Sequence, residues 1–429
     1  MNKTENKILV LPNREKTLED FEIMAPTGNF ECLMAAIQGG ANSVYFGIEN
    51  LNMRSKSANN FKLEQLAEIA EICKTNNVKS YLTLNVIMYD NDLEDMRKIV
   101  REVKRTGINA VIASDQSAIA YSHEHGVEVH ISTQLNISNI ESLKFYARYA
   151  DVIVLARELN LEQVAEIHKQ IYEQQIKGPG GNLVKIEMFA HGALCMSVSG
   201  KCYLSLHEYN YSANRGKCLQ TCRRAYTVTD KETGAQLDID NEYIMSPKDL
   251  CTIGFIDKMI DAGVSVFKIE GRARSAEYVK TVCRCYSEAI KSIADGTYGK
   301  QKIDEWTMRL GNVFNRGFWD GYYLGQRLGE WSKKYGNQSP KRKEYTAKCT
   351  NFFGNIGVAE FLIEAGELNL GDEVLITGST TGVVEQTIKE IRVDLQSVEK
   401  AEKGVYCSIA TAEKIRRGDR LYKVVSNKL

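Results

Sequence analysis

The sequence predicts an α/β protein: a (β/α)8 barrel followed by a small antiparallel β-barrel. Two observations carry this. First, eight short apolar runs alternate with amphipathic helical segments over roughly 300 residues. Second, the composition shifts at YGNQSPKRKE (335–344), and beyond it short segments alternate apolar and polar residues at period two. The implied domains are a tail over 1–18, a barrel over 19–340 carrying an insertion at 192–248, and a β-module over 345–429.

Taken in order, the runs are 21–26, 43–48, 79–86, 110–115, 127–133, 151–156, 184–192 and 265–271. Each is short, continuous and rich in β-branched or aromatic residues, as expected of parallel strands buried on both faces. Helical periodicity fills the gaps, for instance in FKLEQLAEIAEICKTNN and DLEDMRKIVREVKRTG. The phrases GGANSV, TGINAV and DAGVSV precede the second, fourth and eighth runs and read as tight turns from helix to strand. An open doubly wound sheet is the alternative, but no G-x-G-x-x-G follows the first run, which weakens a dinucleotide-binding version. In the last segment, LNLGDEVLI and IRRGDRLYKV each place a Gly-Asp turn before a strand, in the manner of translation-factor β-barrels.

Lys and Arg number 55, and so do Asp and Glu, so no global field announces a polyanion partner. No run of about 18 apolar residues occurs, so no membrane span is expected. The N-terminus lacks the apolar stretch of a signal peptide, and the expected location is cytoplasmic.

The connection from the seventh run to the eighth is the most informative stretch. Cys195, Cys202, Cys218 and Cys222 fall within 28 positions, among Gly192, Gly200 and Gly216. Four thiolates on a glycine-punctuated loop can turn toward one metal centre. The spacing matches neither paired C-x2-C nor a ferredoxin run, so it leaves iron–sulfur and zinc both open. Cys32, Cys73, Cys283, Cys285, Cys349 and Cys407 sit in apolar or helical contexts and read as core thiols, and Cys251 is a weaker candidate ligand. A barrel places its active site at the C-terminal strand ends. Those ends supply Pro26, Gly47, Asn85, Asp115, Ser132, Gln134, Arg157, His191, Glu270 and Arg272, and the cysteine loop follows the seventh strand onto the same face. A hairpin is expected around AYTVTDKETGAQLDI, and the aromatic FNRGFWDGYYLGQRLGEW is expected to pack beside the mouth.

The run from Glu187 through Gly192, Cys195, Gly200 and Cys202 to Ser205 resembles the signature of the collagenase-like peptidases of unassigned catalytic type, peptidase family U32. MAPTGNFECLMAAIQGGANSVYFG, NMRSKSANNF and KIEGRARSAEYV resemble further hallmarks of that family, while NRGKCLQTCRRAY and the β-module are most similar to its tRNA-hydroxylating branch. The resemblance implies a [4Fe–4S] cluster on Cys195, Cys202, Cys218 and Cys222 and an RNA hydroxylase activity. That activity is the oxygen-independent conversion of wobble uridine to 5-hydroxyuridine in tRNA. It also implies a metabolic requirement for prephenate, and it is compatible with a prephenate-derived hydroxyl donor and with a paralogous partner subunit. Modifying a base requires drawing it from its stack. Tyr203, Tyr209, Tyr211 and Tyr226 are candidates for stacking, and Arg215, Lys217, Arg223 and Arg224 for phosphate contacts, with Lys333, Lys334, Lys341, Arg342 and Lys343 extending a basic track. Glu187, His191, Glu270 and Arg272 are the candidate catalytic residues; Glu187 and Glu270 can equally pair with Lys268 or Arg272. Two alternatives stand beside this reading. One is a peptidase with a His191–Cys195 nucleophile pair. The other is a non-catalytic RNA-binding scaffold whose cysteines hold zinc.

Overall fold

Eight parallel strands close on themselves. They are β1 (Glu22–Pro26), β2 (Ser43–Phe46), β3 (Lys79–Leu84), β4 (Ala110–Ala113), β5 (Glu128–Ile131), β6 (Val152–Val154), β7 (Lys185–Ala193) and, after a further strand β8 (Asp249–Cys251), β9 (Val264–Ile269). Each of β1 to β7 pairs with the next, and β9 pairs with both β7 and β1, which completes the barrel. The computed structural model describes residues 17–427 apart from 50, 56–58, 225, 226, 228, 235–245, 326–328 and 333–335. The expected hairpin over 225–239 lies largely outside the described residues, as do Tyr226, Lys333 and Lys334.

The sequence explains the alternation locally. Helices α1 (Phe30–Gln38), α4 (Gln116–Glu124), α5 (Ile140–Ala147) and α6 (Leu161–Glu173) begin at Asn29, Asp115, Asn139 and Asn160. Each of those side chains accepts a hydrogen bond from a backbone N–H of the first turn, satisfying a donor that the helix itself leaves open. Helix α2 (Leu66–Thr75) follows β2, and α3 (Leu93–Thr106) follows β3. Along α3, Met96, Ile99, Val100 and Val103 form one buried stripe, and Gly107 ends the helix at φ 80°. Inside the barrel Met24, Tyr45, Tyr81, Ile112, Val152 and Val266 fill the interior, so the barrel is a packed core below its mouth.

Three features depart from an ideal barrel. Strand β8 runs antiparallel to β7, pairing Cys251 with His191, and a two-residue strand β10 (Phe318–Trp319) pairs beside it. Cys251 is therefore buried in a strand rather than at a helix start, and the other six predicted core thiols are buried as well. Between β7 and β9 the register shifts at Phe189 and His191, a bulge that turns the side chains after it. A short helix α7 (Leu204–Tyr209) lies within the cysteine loop, α8 (Ile256–Asp261) precedes β9, and α9 (Ala276–Ala294) and α10 (Lys300–Gly311) close the barrel's outer ring.

The C-terminal region forms antiparallel sheets around its own core of Phe361, Ile376, Ile391, Ile409 and Leu421. Its first strand, Lys341–Phe353, starts within the expected linker, which therefore ends at Pro340. Lys341 and Lys343 pair with Glu373 and Glu277 at 2.7 and 2.9 Å, and Arg342 with Glu344 at 2.6 Å. These three are held in ion pairs and do not form a free basic track. The module is clasped to the barrel: Gln38 on α1 donates to the Thr381 carbonyl and accepts from the Val383 N–H, both at 2.9 Å. Lys280 on α9 donates to the Val383 carbonyl at 2.8 Å.

Candidate functional site

A cavity opens at the C-terminal ends of the barrel strands. Of the strand-end residues, it is lined by Asn85, Ser132, Gln134, Arg157, Glu270 and Arg272. Asn85 donates to Ser132 Oγ and to Gln134 Oε1 at 3.3 and 3.2 Å, which fixes the amides along one wall. Gly47 and Asp115 serve that wall from behind. A Cβ on Gly47 would lie 2.3 Å from Arg272 Nη1, so only glycine leaves room for the guanidinium. Asp115 caps α4 and also accepts from the Met88 N–H at 2.9 Å.

The floor is a charged network. Arg54 Nη2 donates to Glu270 Oε1 at 2.6 Å, and the Tyr45 hydroxyl reaches the other oxygen at 3.2 Å. Arg272 instead donates to Asn52 Oδ1 and Thr83 Oγ1, at 2.9 and 3.0 Å. Lys268 meets Glu187 at 2.6 Å; Glu187 is fully buried and lies beneath the lysine rather than on the cavity wall. Sequence reasoning raised the Lys268–Glu187 pairing but missed Arg54 as the partner of Glu270. The only signal for it was its place in NMRSKSANNF.

Burial alone pushes the Glu270 carboxyl up, but Arg54, Arg157 and Arg272 outweigh it and hold the group down at about 2. Burial likewise draws Arg272 down to about 10. A carboxylate whose folded pKa is depressed contributes stability above its unfolded pKa of about 4.3 and loses it as pH falls toward 2. Arg54→Gln is therefore expected to cost more stability at pH 7 than at pH 3. Urea denaturation at the two pH values checks this, and equal losses at both would contradict it.

The cysteine loop folds over this floor. Cys195 is exposed, Cys202, Cys218 and Cys222 are half-buried, all four are free thiols, and all four line the cavity. Two glycines at positive φ let the loop lie close. A Cβ on Gly216 (φ 79°) would fall 2.1 Å from the Asn52 carbonyl oxygen, and one on Gly200 (φ 74°) 2.8 Å from Gln134. Burial pushes the Cys222 thiol up to about 11; Arg223 opposes this, and the charges of Cys195, Cys218 and Cys202 add to it. The Cys222 sulfur thus feels the other three across one cavity. Yet among the described residues no three His, Cys, Asp or Glu side chains gather closely enough to hold a single metal ion. A tetrahedral zinc needs its thiolates at ~2.3 Å from one point. A four-iron cluster takes one cysteine per iron and so accepts a wider quartet. The four thiols on one cavity are the donor set that such a cluster would use.

The cations expected to hold RNA are largely occupied. Arg215 pairs with Asp92 at 2.5 Å, donates to the Ile87 carbonyl and stacks over the Tyr89 ring. Arg223 is turned inward to the carbonyls of Pro247 and Leu194 and to Ser246, and Arg224 meets Glu208 and the Tyr209 hydroxyl. These three brace the loop. Lys217 remains exposed, and Tyr203 at 71% exposure is the most open tyrosine ring among the described residues of the loop.

His191 is not brought to the cavity. The bulge in β7 turns it against Tyr278, Tyr286 and Phe318, where it is 1% exposed. Burial, with repulsion from Arg274, holds its pKa near 3, so it stays a neutral packing residue.

A family model described as peptidase family U32 matches residues 28–333. The chain belongs to this family. Within it, a relative named collagenase from Porphyromonas gingivalis is 62% identical over 406 residues, covering 95% of this chain and 98% of that one. A Bacillus subtilis relative named tRNA hydroxylation protein P1 is 32% identical over 324 residues and covers 74% of each chain. A solved structure described as a U32 peptidase covers 61% of this chain and 97% of its own at 10% identity and TM-score 0.38. Among the described residues, no helix of this U32 protein is long and apolar enough to cross a membrane.

Proposed function

We propose that this U32 protein is an iron–sulfur enzyme that takes part in the oxygen-independent hydroxylation of wobble uridine in tRNA to 5-hydroxyuridine. The observation that carries the reading is the convergence of Cys195, Cys202, Cys218 and Cys222 on one cavity with the Arg54–Glu270–Arg272 floor. The family's tRNA-hydroxylating members support it. The four cysteines would hold the cluster, which supplies electron-transfer or Lewis-acid chemistry when bound. The chain's own residues do the rest. Asn85 and Gln134 offer amide donors and acceptors to the edge of a splayed base, and Tyr203 offers an open ring to stack on. Glu270, held ionised by three guanidinium groups, orients polar groups without exchanging protons near neutrality.

One observation favours a peptidase, namely the name of the 62% identical relative. The geometry offers that chemistry little, since His191 faces away from Cys195. Nucleoside analysis of tRNA from a deletion strain separates the two. Loss of 5-hydroxyuridine, restored by the intact gene, is the expected result. Unchanged tRNA together with gelatin or peptide cleavage by metal-free protein would move the assignment to the peptidase.

A further inference from the structure

We propose that Arg157 is the binding group for an oxyanion of the ligand, held at the rim of the cavity by a guanidinium fork that the protein itself leaves open. Arg157 follows β6, at the mouth. Its guanidinium stacks on the Phe189 ring at 3.9 Å, which fixes the plane of the fork. Its Nε is sealed from water with no partner, and no hydrogen bond or ion pair joins it to any described residue.

Every other cation on the cavity wall is engaged. Arg54 holds Glu270, Arg272 holds Asn52 and Thr83, Lys268 holds Glu187, and Arg223 holds two carbonyls. Glu270 is the wall's one carboxylate, and it already receives Arg54 and the Tyr45 hydroxyl. Five cations thus face one carboxylate on the wall, and one of the five keeps its donors free. Proteins rarely leave a half-buried guanidinium without acceptors, and its flat fork matches the paired oxygens of a carboxylate or phosphate. Arg157 also borders a second recess walled by Trp319, Tyr322 and Trp331, so an oxyanion there would sit between two compartments.

Two sources have this chemistry: a phosphodiester of bound RNA, or the carboxylate of a small molecule. Calorimetric titration of the anaerobically purified full-length protein distinguishes them, using an anticodon stem–loop RNA, and malonate and inorganic phosphate as free oxyanions. Arg157→Met keeps the apolar contact with Phe189, and Arg157→Lys keeps the charge without the fork. The bound ligand is expected to weaken by about ten- to a hundredfold in Arg157→Met, with only part of the loss recovered in Arg157→Lys. Loss confined to RNA, with a shallower salt dependence, assigns the phosphodiester. Loss confined to malonate or phosphate assigns a free oxyanion. Wild-type affinity for all probes in both variants overturns the proposal, as does an absence of binding by the wild type, or full recovery in Arg157→Lys. Should Arg157→Met fail to fold, Arg157→Lys decides alone. Because binding is read directly, this test stands apart from the hydroxylation reading. Loss of tRNA modification with normal anion binding would concern that reading only.

Discussion

On the proposed function, replacing Cys222 by alanine is expected to leave the protein unable to hold a cluster and to reduce wobble 5-hydroxyuridine to the level of a gene deletion. Protein purified without oxygen should carry about four iron and four sulfide per chain, and the variant less than about one of each. The size of the effect follows from placement. Cys222 lines the cavity with the other three thiols, and burial pushes its thiol up, a cost that a bound metal centre would offset. Arg223 opposes that push only in part, and its donors are engaged by the carbonyls of Pro247 and Leu194. Cys251→Ala is the control: that thiol is buried in β8, off the loop, and its loss should leave iron content unchanged. Full iron, sulfide and modification in Cys222→Ala would sink the assignment of the quartet.

The second large effect is on folding. Lys268→Met is expected to destabilise the barrel by about 3–5 kcal/mol, because it leaves the Glu187 carboxylate buried without its counter-ion. One oxygen of Glu187 already lacks a partner, so nothing nearby compensates. Glu187→Gln should cost a comparable amount by stranding the lysine. The double variant Lys268→Met/Glu187→Leu should recover much of the loss, as an apolar pair of similar volume in a dry site. Urea midpoints of the four proteins close this cycle. Losses that simply add in the double variant would mean that the two groups are not coupled.

Much of the barrel was legible because parallel strands buried on both faces leave a continuous apolar signature. The run 43–48 contains β2, 184–192 overlaps β7, and GGANSV, TGINAV and DAGVSV enter β2, β4 and β9 through glycines at φ 80°, 80° and 93°. What escaped was short or non-local. β8 and β10 span three and two residues, too few to show a period; β8 exists because β7 offers it an edge, and β10 because β8 does. At the site, the strand-end rule found Asn85, Gln134, Arg157, Glu270 and Arg272, since direction along a strand fixes which end reaches the mouth. It failed for His191, because period-two reasoning assumes an unbroken register and the bulge breaks it. It also failed to foresee that Arg223 turns inward and that Arg215 and Arg224 are taken up by Asp92 and Glu208, since pairing with residues as distant as Asp92 leaves no trace in local sequence.

The displaced register in β7 has a consequence for how the reaction responds to its medium. By moving His191 outside, it leaves the cavity wall with no imidazole among the described residues. Imidazole is the side chain that ordinarily changes charge between pH 5 and 8. Glu270 keeps its negative charge and Arg272 its positive charge throughout that interval. The floor thus presents a constant field to whatever enters, as a fixed mould rather than a buffer. Neither Glu270 nor Arg272 takes up or releases a proton in that interval, so any proton exchange at the floor falls to other groups.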